Sequence, residues 1–232
     1  MEIVGFAGAE AVLIDTEHGM ISTETVRSMM VHARAAGTAP VFRPTRFDPG
    51  LCRQALDQGA AGVHVPHIDT AEEARAVVNA CRYAPLGRRE MSLGRAVEYK
   101  GEQIRDYVAT ADENLLLTIM IESVKGLENV EEIAAVPGID VIHLGVADLS
   151  HDMGHTGHYD HPEVNAAVDD VLDVAARHNI AVGYPTQDPD QVRDLTAKGM
   201  RFFEADTPDY LLREVYAKNL NALRKVFDAE RA

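Results

Sequence analysis

Seven short apolar segments recur along the 232-residue chain, and most are followed by a stretch with helical periodicity. Val, Ile and Leu dominate these segments, and their apolar residues do not alternate strictly with polar ones. This composition is typical of parallel strands that are covered on both faces. The segments occupy residues 11–16, 39–45, 61–67, 115–122, 140–145, 180–185 and 201–206.

The alternation of strands and helices predicts a parallel sheet with right-handed crossovers. The length suits one large α/β domain or two small ones, but no linker or change of composition divides the chain. We therefore predict a single (β/α)8 TIM-barrel-like domain over residues 1–232. A closed barrel needs eight strands, so we expect either a first strand ahead of Met1 in a longer natural product or an incomplete barrel with a covered edge.

The charge, hydropathy and cysteine content of the chain indicate which kinds of binding partner and cellular compartment to expect. The chain has 22 Lys and Arg against 37 Asp and Glu, and the formal charge of −15 disfavours binding to nucleic acid. No apolar run approaches the roughly 20 residues that cross a bilayer, and the start of the chain lacks the features of a signal peptide. We expect a cytoplasmic protein with no membrane partner. Cys52 and Cys81 are expected to be reduced and buried, with a disulfide as the alternative.

Polar side chains stand at the carboxyl ends of the first five apolar segments, where barrel enzymes place their reactive groups. Isolated carboxylates at two of these ends suit Mg²⁺ or Mn²⁺, an arginine fork suits a carboxylate, and a histidine can carry protons near neutral pH. Solvated loop residues and structural ion pairs are the alternative interpretation. The residues are Asp15, Glu17, His18, Arg43, His64, His67, Glu122 and Asp148.

Several motifs in the same order resemble the HpcH/HpaI-type class II aldolases. These metal-dependent pyruvate aldolases include 4-hydroxy-2-oxoheptanedioate aldolase and 2-dehydro-3-deoxy-sugar-acid aldolases. The resemblance spans nearly the whole chain, and the pairing of the first and fourth motifs is its most specific part. The motifs are "IDTEHG" (14–19), "ALDQGAAGVHVP" (55–66), "IMIES" (119–123), "GVADLSHDMG" (145–154) and "HPEV" (161–164).

The resemblance implies a divalent-metal-dependent aldolase or retro-aldolase that forms or cleaves 4-hydroxy-2-oxo acids through a pyruvate enolate. Its small-molecule partners would be pyruvate or another 2-oxo acid and an aldehyde. Glu122 and Asp148 would bind the metal, which would be Mg²⁺, Mn²⁺ or Co²⁺. Arg43 would hold the pyruvate carboxylate and neutralise charge on its oxygen.

The resemblance also implies the proton carrier and the substrate pocket. His18 would be the base, acting through a metal-bound water, and Asp57 would orient its imidazole. The backbone of Gly145, Val146 and Ala147 would line the pyruvate pocket.

Departures from the family pattern leave other reactions open. The family usually has Gln where this chain has Met120, and Pro where it has Val146. The loop "EMSLGRAVEY" (90–99) is more charged than its counterpart. Oxaloacetate decarboxylation or another enolate carbon–carbon bond formation is the enzymatic alternative. An inactive barrel that serves as a binding or scaffold protein is the alternative from another class.

Three further features are open to two interpretations. The helix predicted over residues 208–227 can pack on the barrel exterior, or it can be exchanged with a neighbouring subunit, as the resemblance implies for a dimer-based homo-oligomer, possibly a hexamer. Arg88, Arg89 and Arg95 can bind an anionic substrate or pair with a neighbouring subunit. The histidine-rich tract at 151–161 is expected to be an exposed polar loop rather than a metal site.

Overall fold

One parallel sheet of seven strands organises the fold in the computed structural model, which describes residues 1–205 and 207–231. The strands lie side by side in chain order, as the sequence predicts, and the sheet curls into a half-barrel. Asp206, the end of the last predicted strand segment, lies outside the described residues. The strands are β1 (Ala11–Asp15), β2 (Ala39–Arg43), β3 (Gly62–Val65), β4 (Leu116–Ile121), β5 (Val141–Leu144), β6 (Ala181–Pro185) and β7 (Phe202–Glu204).

Helices connect the strands and cover one face of the sheet. Their starts follow ordinary capping chemistry: Thr70 accepts a hydrogen bond from the backbone N–H of Glu73, and Glu73 reaches back to Asp69. The helices are α1 (Glu2–Phe6), α2 (Thr23–Ala35), α3 (Pro49–Asp57), α4 (Ala71–Cys81), α5 (Ile104–Ala111), α6 (Val124–Glu128), α7 (Val130–Ala134), α8 (Val146–Asp152), α9 (Pro162–His178), α10 (Pro189–Lys198) and α11 (Pro208–Ala229).

The register of the sheet gathers the carboxyl ends of the strands. Asp15 pairs in register with Arg43, and Met120 pairs with His143. Among the described residues, β7 and β1 form the two free edges, because no strand pairing joins them. The expected eighth strand is therefore not part of the described sheet. Because all seven strands are parallel, their carboxyl ends, with the polar residues that follow them, lie at the same edge of the sheet.

The main core lies between the sheet and the surrounding helices. Fully buried side chains such as Ile14, Leu117 and Ile142 belong to one continuous apolar cluster. Truncating a residue of this kind to Ala typically costs about 2–5 kcal/mol. Cys52 and Cys81 are buried and free, which confirms the expectation for both thiols. In the part of the chain that the structure describes, every helix is too short or too polar to cross a membrane.

Candidate active site

Arg43 and Asp15 form a two-pronged ion pair where β2 and β1 end. Nε of Arg43 donates to Oδ1 of Asp15 at 2.8 Å, and Nη2 donates to Oδ2 at 2.7 Å. Burial by itself raises the pKa of Asp15, but the hydrogen bonds and charge of Arg43 hold that pKa below its ordinary value. The guanidinium is thereby fixed in one orientation, with Nη1 pointing toward the sulfur of Met120 at 3.9 Å.

His67 bridges two carboxylates that come from different strand ends. Its Nε2 lies 2.8 Å from Oε1 of Glu17, and its Nδ1 lies 2.9 Å from Oε1 of Glu122. The backbone N–H of His67 also donates to Glu122. The His67 ring thus fills the space between the carboxylates of Glu17 and Glu122. A positive charge suits this position because both neighbours are acids.

The carboxylate of Glu122 is buried among other negative charges. Burial raises its pKa above the ordinary value, and the charges of Glu17 and Asp148 add to the increase, while the contact with His67 opposes it. Asp148 lies in the first turn of α8, and its side chain is exposed. These acids thus form a negatively charged mouth at the carboxyl ends of the strands.

Gly145 packs directly against Glu122. A Cβ atom on Gly145 would lie 2.6 Å from Oε2 of Glu122, so the close approach needs a residue without a side chain. Gly145 is also the residue that precedes α8. The backbone N–H groups of Val146 and Ala147 fall in the first helical turn, where a helix provides no acceptor for them.

Met120 occupies the space between the arginine and the acidic groups. Its side chain is buried, its sulfur faces Arg43, and its methyl group would lie 3.2 Å from a Cβ on Gly145. An apolar thioether therefore stands at the position where the resembled family usually has a Gln side chain.

His18 and Asp57 do not meet within one chain, so the orientation of the His18 imidazole by Asp57 stays a prediction that needs Asp57 from another copy. His18 follows β1, its side chain is 68% exposed, and its Nε2 lies 3.8 Å from Glu17. Asp57 ends α3, which runs back from the carboxyl end of β2 to the start of β3. The topology therefore places these two residues toward opposite ends of the sheet.

Asp57 instead pairs with one of the three clustered arginines. Its Oδ1 accepts a hydrogen bond from Nη2 of Arg89 at 3.0 Å, and the Arg89 side chain is almost fully buried. Arg89 also stacks over the ring of Tyr83. Within the chain, Arg89 is thus a packing and ion-pairing residue rather than a free anion binder.

The contacts add roles for residues that the sequence marked without assigning them. Asp15 anchors Arg43, whereas Glu17 and His67 surround the buried oxygen of Glu122. These residues can be recognised in the sequence because each follows a strand. The sequence does not show which of their side chains pair with one another. The pairing follows from the curl of the sheet.

Comparison with known proteins places the chain in a family. A family model described as HpcH/HpaI aldolase/citrate lyase matches residues 1–206. The hydroxypyruvate/pyruvate aldolase of Chromohalobacter salexigens is 36% identical over 213 residues, which cover 92% of this chain and 84% of that protein.

Solved structures agree with the sequence comparison. The HpcH/HpaI aldolase from Desulfitobacterium hafniense superposes with a TM-score of 0.90 at 26% identity, covering 96% of this chain and 86% of the other. The citrate synthase SbnG superposes with a TM-score of 0.87 at 28% identity, covering 97% of this chain and 88% of the other. The chain is therefore an enzyme, a carbon–carbon lyase, and belongs to the HpcH/HpaI aldolase/citrate lyase family.

Proposed function

We propose that the enzyme is a divalent-metal-dependent aldolase that forms and cleaves 4-hydroxy-2-oxo acids, with pyruvate as the nucleophilic half. The similarity to a hydroxypyruvate/pyruvate aldolase supports the choice of substrate class. The observation that carries the proposal is the buried Glu122 carboxylate at the mouth of the barrel, surrounded by Glu17, His67 and Gly145.

Glu122 shares a group of possible metal ligands with Glu17 and His67, whose ligand atoms lie within 4.8 Å of one another, and the charge of Asp148 also acts on Glu122. A mouth this rich in carboxylates fits a divalent cation. Glu122 and Asp148 would hold it, and carboxylate oxygens are the ligands that Mg²⁺ and Mn²⁺ prefer. The pKa of Glu122 is raised because its carboxylate is buried and lies near the negative charges of Glu17 and Asp148, and a bound cation would offset both effects. When bound, such an ion supplies stabilisation of the negative charge that develops on the 2-oxo oxygen of pyruvate. Mg²⁺, Mn²⁺ and Co²⁺ are the ions proposed.

Arg43 would orient the substrate. Two of its nitrogens are engaged by Asp15, so the guanidinium is held rigidly. Nη1, which makes a long 3.9 Å contact with the Met120 sulfur, would bind the pyruvate carboxylate. The free N–H groups of Val146 and Ala147 would line the same pocket. Met120 would present an apolar wall on the arginine side, where water would otherwise solvate the reacting carbon.

His18 would move the proton. In synthesis His18 would accept a proton from C3 of pyruvate, the enolate carbon would bond to the aldehyde carbon, and the aldehyde oxygen would take the proton back from His18 to become the 4-hydroxyl. In cleavage His18 would accept the proton of the 4-hydroxyl, the C3–C4 bond would break to release the aldehyde, and His18 would return the proton to C3 of the enolate. The exposed position of His18 suits exchange with water between turnovers.

Pyruvate release from a 4-hydroxy-2-oxo acid tests the proposal. We expect a chelator to abolish activity and Mg²⁺, Mn²⁺ or Co²⁺ to restore it. Glu122→Gln and Asp148→Asn should each lower kcat/KM by about 100-fold or more, because each removes a charge on which the reaction depends. Glu128→Gln, an exposed neutralisation on α6, is the matched control and should behave like the wild type. Full activity of Glu122→Gln in the presence of chelator would exclude this site.

A second candidate is an enolate condensation or oxaloacetate decarboxylation on the same residues. The similarity to a citrate synthase and the apolar Met120 beside Arg43 favour it. The two functions separate when exchange of the pyruvate methyl protons is compared with consumption of oxaloacetate. An aldolase exchanges the methyl protons with pyruvate alone, whereas an enzyme specialised for the alternative consumes oxaloacetate without comparable exchange.

A further inference from the structure

Three ligand-type side chains meet inside the barrel, apart from the carboxylates proposed to bind the catalytic metal. His64 of β3, His143 of β5 and Glu204 of β7 form this interior histidine cluster, and one potential ligand atom of each lies within 4.8 Å of the others. His64 and His143 are 0% and 1% exposed. Their rings meet edge to face, with centroids 4.8 Å apart.

The two imidazoles have no hydrogen-bond partner among the described residues, although all four of their ring nitrogens are buried. Leaving a buried polar group unpaired costs about 1–3 kcal/mol, so two adjacent unpaired rings require an explanation. Nε2 of His143 lies 3.4 Å from Oε2 of Glu204, but the two atoms do not form a hydrogen bond. The cluster therefore presents unshared nitrogen lone pairs beside an acid.

A proton does not explain the arrangement. Burial, followed by the charge of Arg43, lowers the pKa of His143 to about 3. Burial also lowers the pKa of His64, with smaller contributions from His143 and Arg43. Both rings are thus neutral near pH 7, and their lone pairs are free to bind a metal.

Acidic groups outnumber basic ones around the cluster, although the charge of Arg43 opposes a cation beside the two imidazoles. Burial raises the pKa of Glu204, and the carboxylates of Asp15 and Glu17 raise it further, whereas Arg43 opposes the shift. Three acids therefore surround one arginine at this level of the barrel. Neutral imidazole prefers Zn²⁺, Co²⁺ or Ni²⁺, while Mg²⁺ prefers oxygen ligands.

We propose that His64, His143 and Glu204 bind a borderline transition-metal ion of the Zn²⁺ class inside the barrel, at a site distinct from Glu122 and Asp148. Zn²⁺ bonds of about 2.0–2.2 Å place tetrahedral ligand atoms roughly 3.3–3.5 Å apart. The separation between His143 and Glu204 already has this value. Gly183 leaves room for the ring, since a Cβ there would lie 2.7 Å from Cδ2 of His143.

Zn²⁺ titration of the metal-stripped full chain tests this site, with saturating Mg²⁺ present to occupy the carboxylate site. We expect one Zn²⁺ per chain in the barrel interior, and tetrahedral absorption bands when Co²⁺ replaces Zn²⁺. His143→Phe and His64→Leu should each weaken Zn²⁺ binding at this site by at least about 100-fold. This loss exceeds that seen when a residue that only hydrogen-bonds to a metal ligand is removed. A hundredfold excess of Zn²⁺ over its Kd should raise the wild-type Tm by roughly 5–10 °C and leave these variants unchanged.

The controls separate this site from two others. Glu122→Gln should retain the interior Zn²⁺, and so should His161→Asn, which disrupts the surface group of His155, His161 and Glu163. If either histidine variant fails to fold, Glu204→Gln replaces it and should also weaken Zn²⁺ binding. This variant should fold, because the Glu204 side chain is partly exposed and the change is nearly isosteric. Unchanged Zn²⁺ binding in folded His143→Phe, or the absence of a Zn²⁺ site in the wild type under Mg²⁺, would overturn the proposal in favour of a bridging water.

Discussion

At the scale of single residues, the ion pair between Asp15 and Arg43 sets the geometry of the barrel mouth. Arg43 and Asp15 are partly buried, so removing one partner leaves the other charge poorly solvated, which costs more than the pair itself contributes. Glu17 lies 3.5 Å from Nε of Arg43, so it would offset only part of the Arg43 charge if Asp15 were neutralised. Asp15 is therefore a positioning residue for Arg43 and also a contributor to stability.

Asp15→Asn should lower the free energy of unfolding by about 2–3 kcal/mol at pH 7. The folded-state pKa of Asp15 lies below its ordinary value of 3.8, because Arg43 favours the carboxylate despite the burial. The folded state thus binds this proton less readily than the unfolded state does, so the contribution is full above that value and is lost as the pH falls below it. Urea unfolding of both proteins between pH 3 and pH 8 measures the difference.

The control for this prediction is Asp170→Asn, an exposed change on α9, which should leave stability within error of the wild type. A destabilisation of Asp15→Asn that stayed constant down to pH 3 would show that the ion pair is not its cause. No destabilisation at pH 7 would contradict the prediction directly.

Polar residues at the strand ends, His64 among them, are recognisable in the sequence, but their partners in the barrel interior are not. Asp15, Glu17 and His67 are recognisable because each follows an apolar run. His143 is hidden within the apolar run "VIHL", and only the facing strand shows that its ring meets His64. Distances across a barrel depend on sheet curvature, which one strand's sequence does not specify.

At the scale of elements, the junction of β5 and α8 controls the shape of the proposed metal site. Gly145 brings the backbone that enters α8 against Glu122, and the same turn presents Asp148. A side chain at this junction would force either the carboxylate or the start of the helix to move.

Gly145→Ala should reduce kcat/KM for pyruvate release by at least about tenfold, because displacement of a charged group by even 1 Å is costly in a preorganised site. The added Cβ would lie 2.7 Å from Cβ of Glu122, so rotation of the carboxylate alone does not relieve the clash. Overpacking of this kind should also lower stability by about 1–3 kcal/mol. Steady-state kinetics and thermal unfolding give the two readouts.

Gly101→Ala is the matched control, since a Cβ there would make only ordinary contacts with Leu93, at 3.6 Å and beyond. Its kinetics should equal those of the wild type. Wild-type kinetics for Gly145→Ala would show that the close approach to Glu122 does not matter for catalysis.

The elements themselves follow from sequence to different degrees. The seven strands are recovered because dense Val, Ile and Leu runs leave little alternative, although predicted segments such as 61–67 extend past the observed Gly62–Val65. Helix α5 (Ile104–Ala111) is harder to recognise in the sequence. It starts without a side-chain cap, directly after a short 3-10 turn, so its beginning carries no capping signal.

At the scale of the whole molecule, the C-terminal helix is the main unpartnered apolar surface among the described residues. α11 has 22 residues and no buried side chain. Large apolar side chains on it are about half exposed or more, which is unusual for a monomer. They are Leu211, Leu212, Val215, Tyr216, Leu220, Leu223, Val226 and Phe227.

We expect α11 to pack against another copy of the chain, in line with the exchange of this helix that the family resemblance implies. The chain carries a net charge of −15, so copies repel one another unless an apolar interface offsets the repulsion. The wild type should therefore be a dimer or larger oligomer when its mass is measured by light scattering on a sizing column.

Leu212→Glu combined with Leu223→Glu should dissociate this assembly, because the two side chains lie on one face of the helix and would bury charges without partners. Lys225→Glu, on the opposite face, makes the same change of net charge and should leave the mass unaltered. Dissociation by both proteins would assign the effect to net charge alone, and a monomeric wild type would contradict the interface itself. Because α11 has no buried side chain, the double variant should retain the circular dichroism spectrum of the wild type, so that loss of mass reports the interface rather than unfolding.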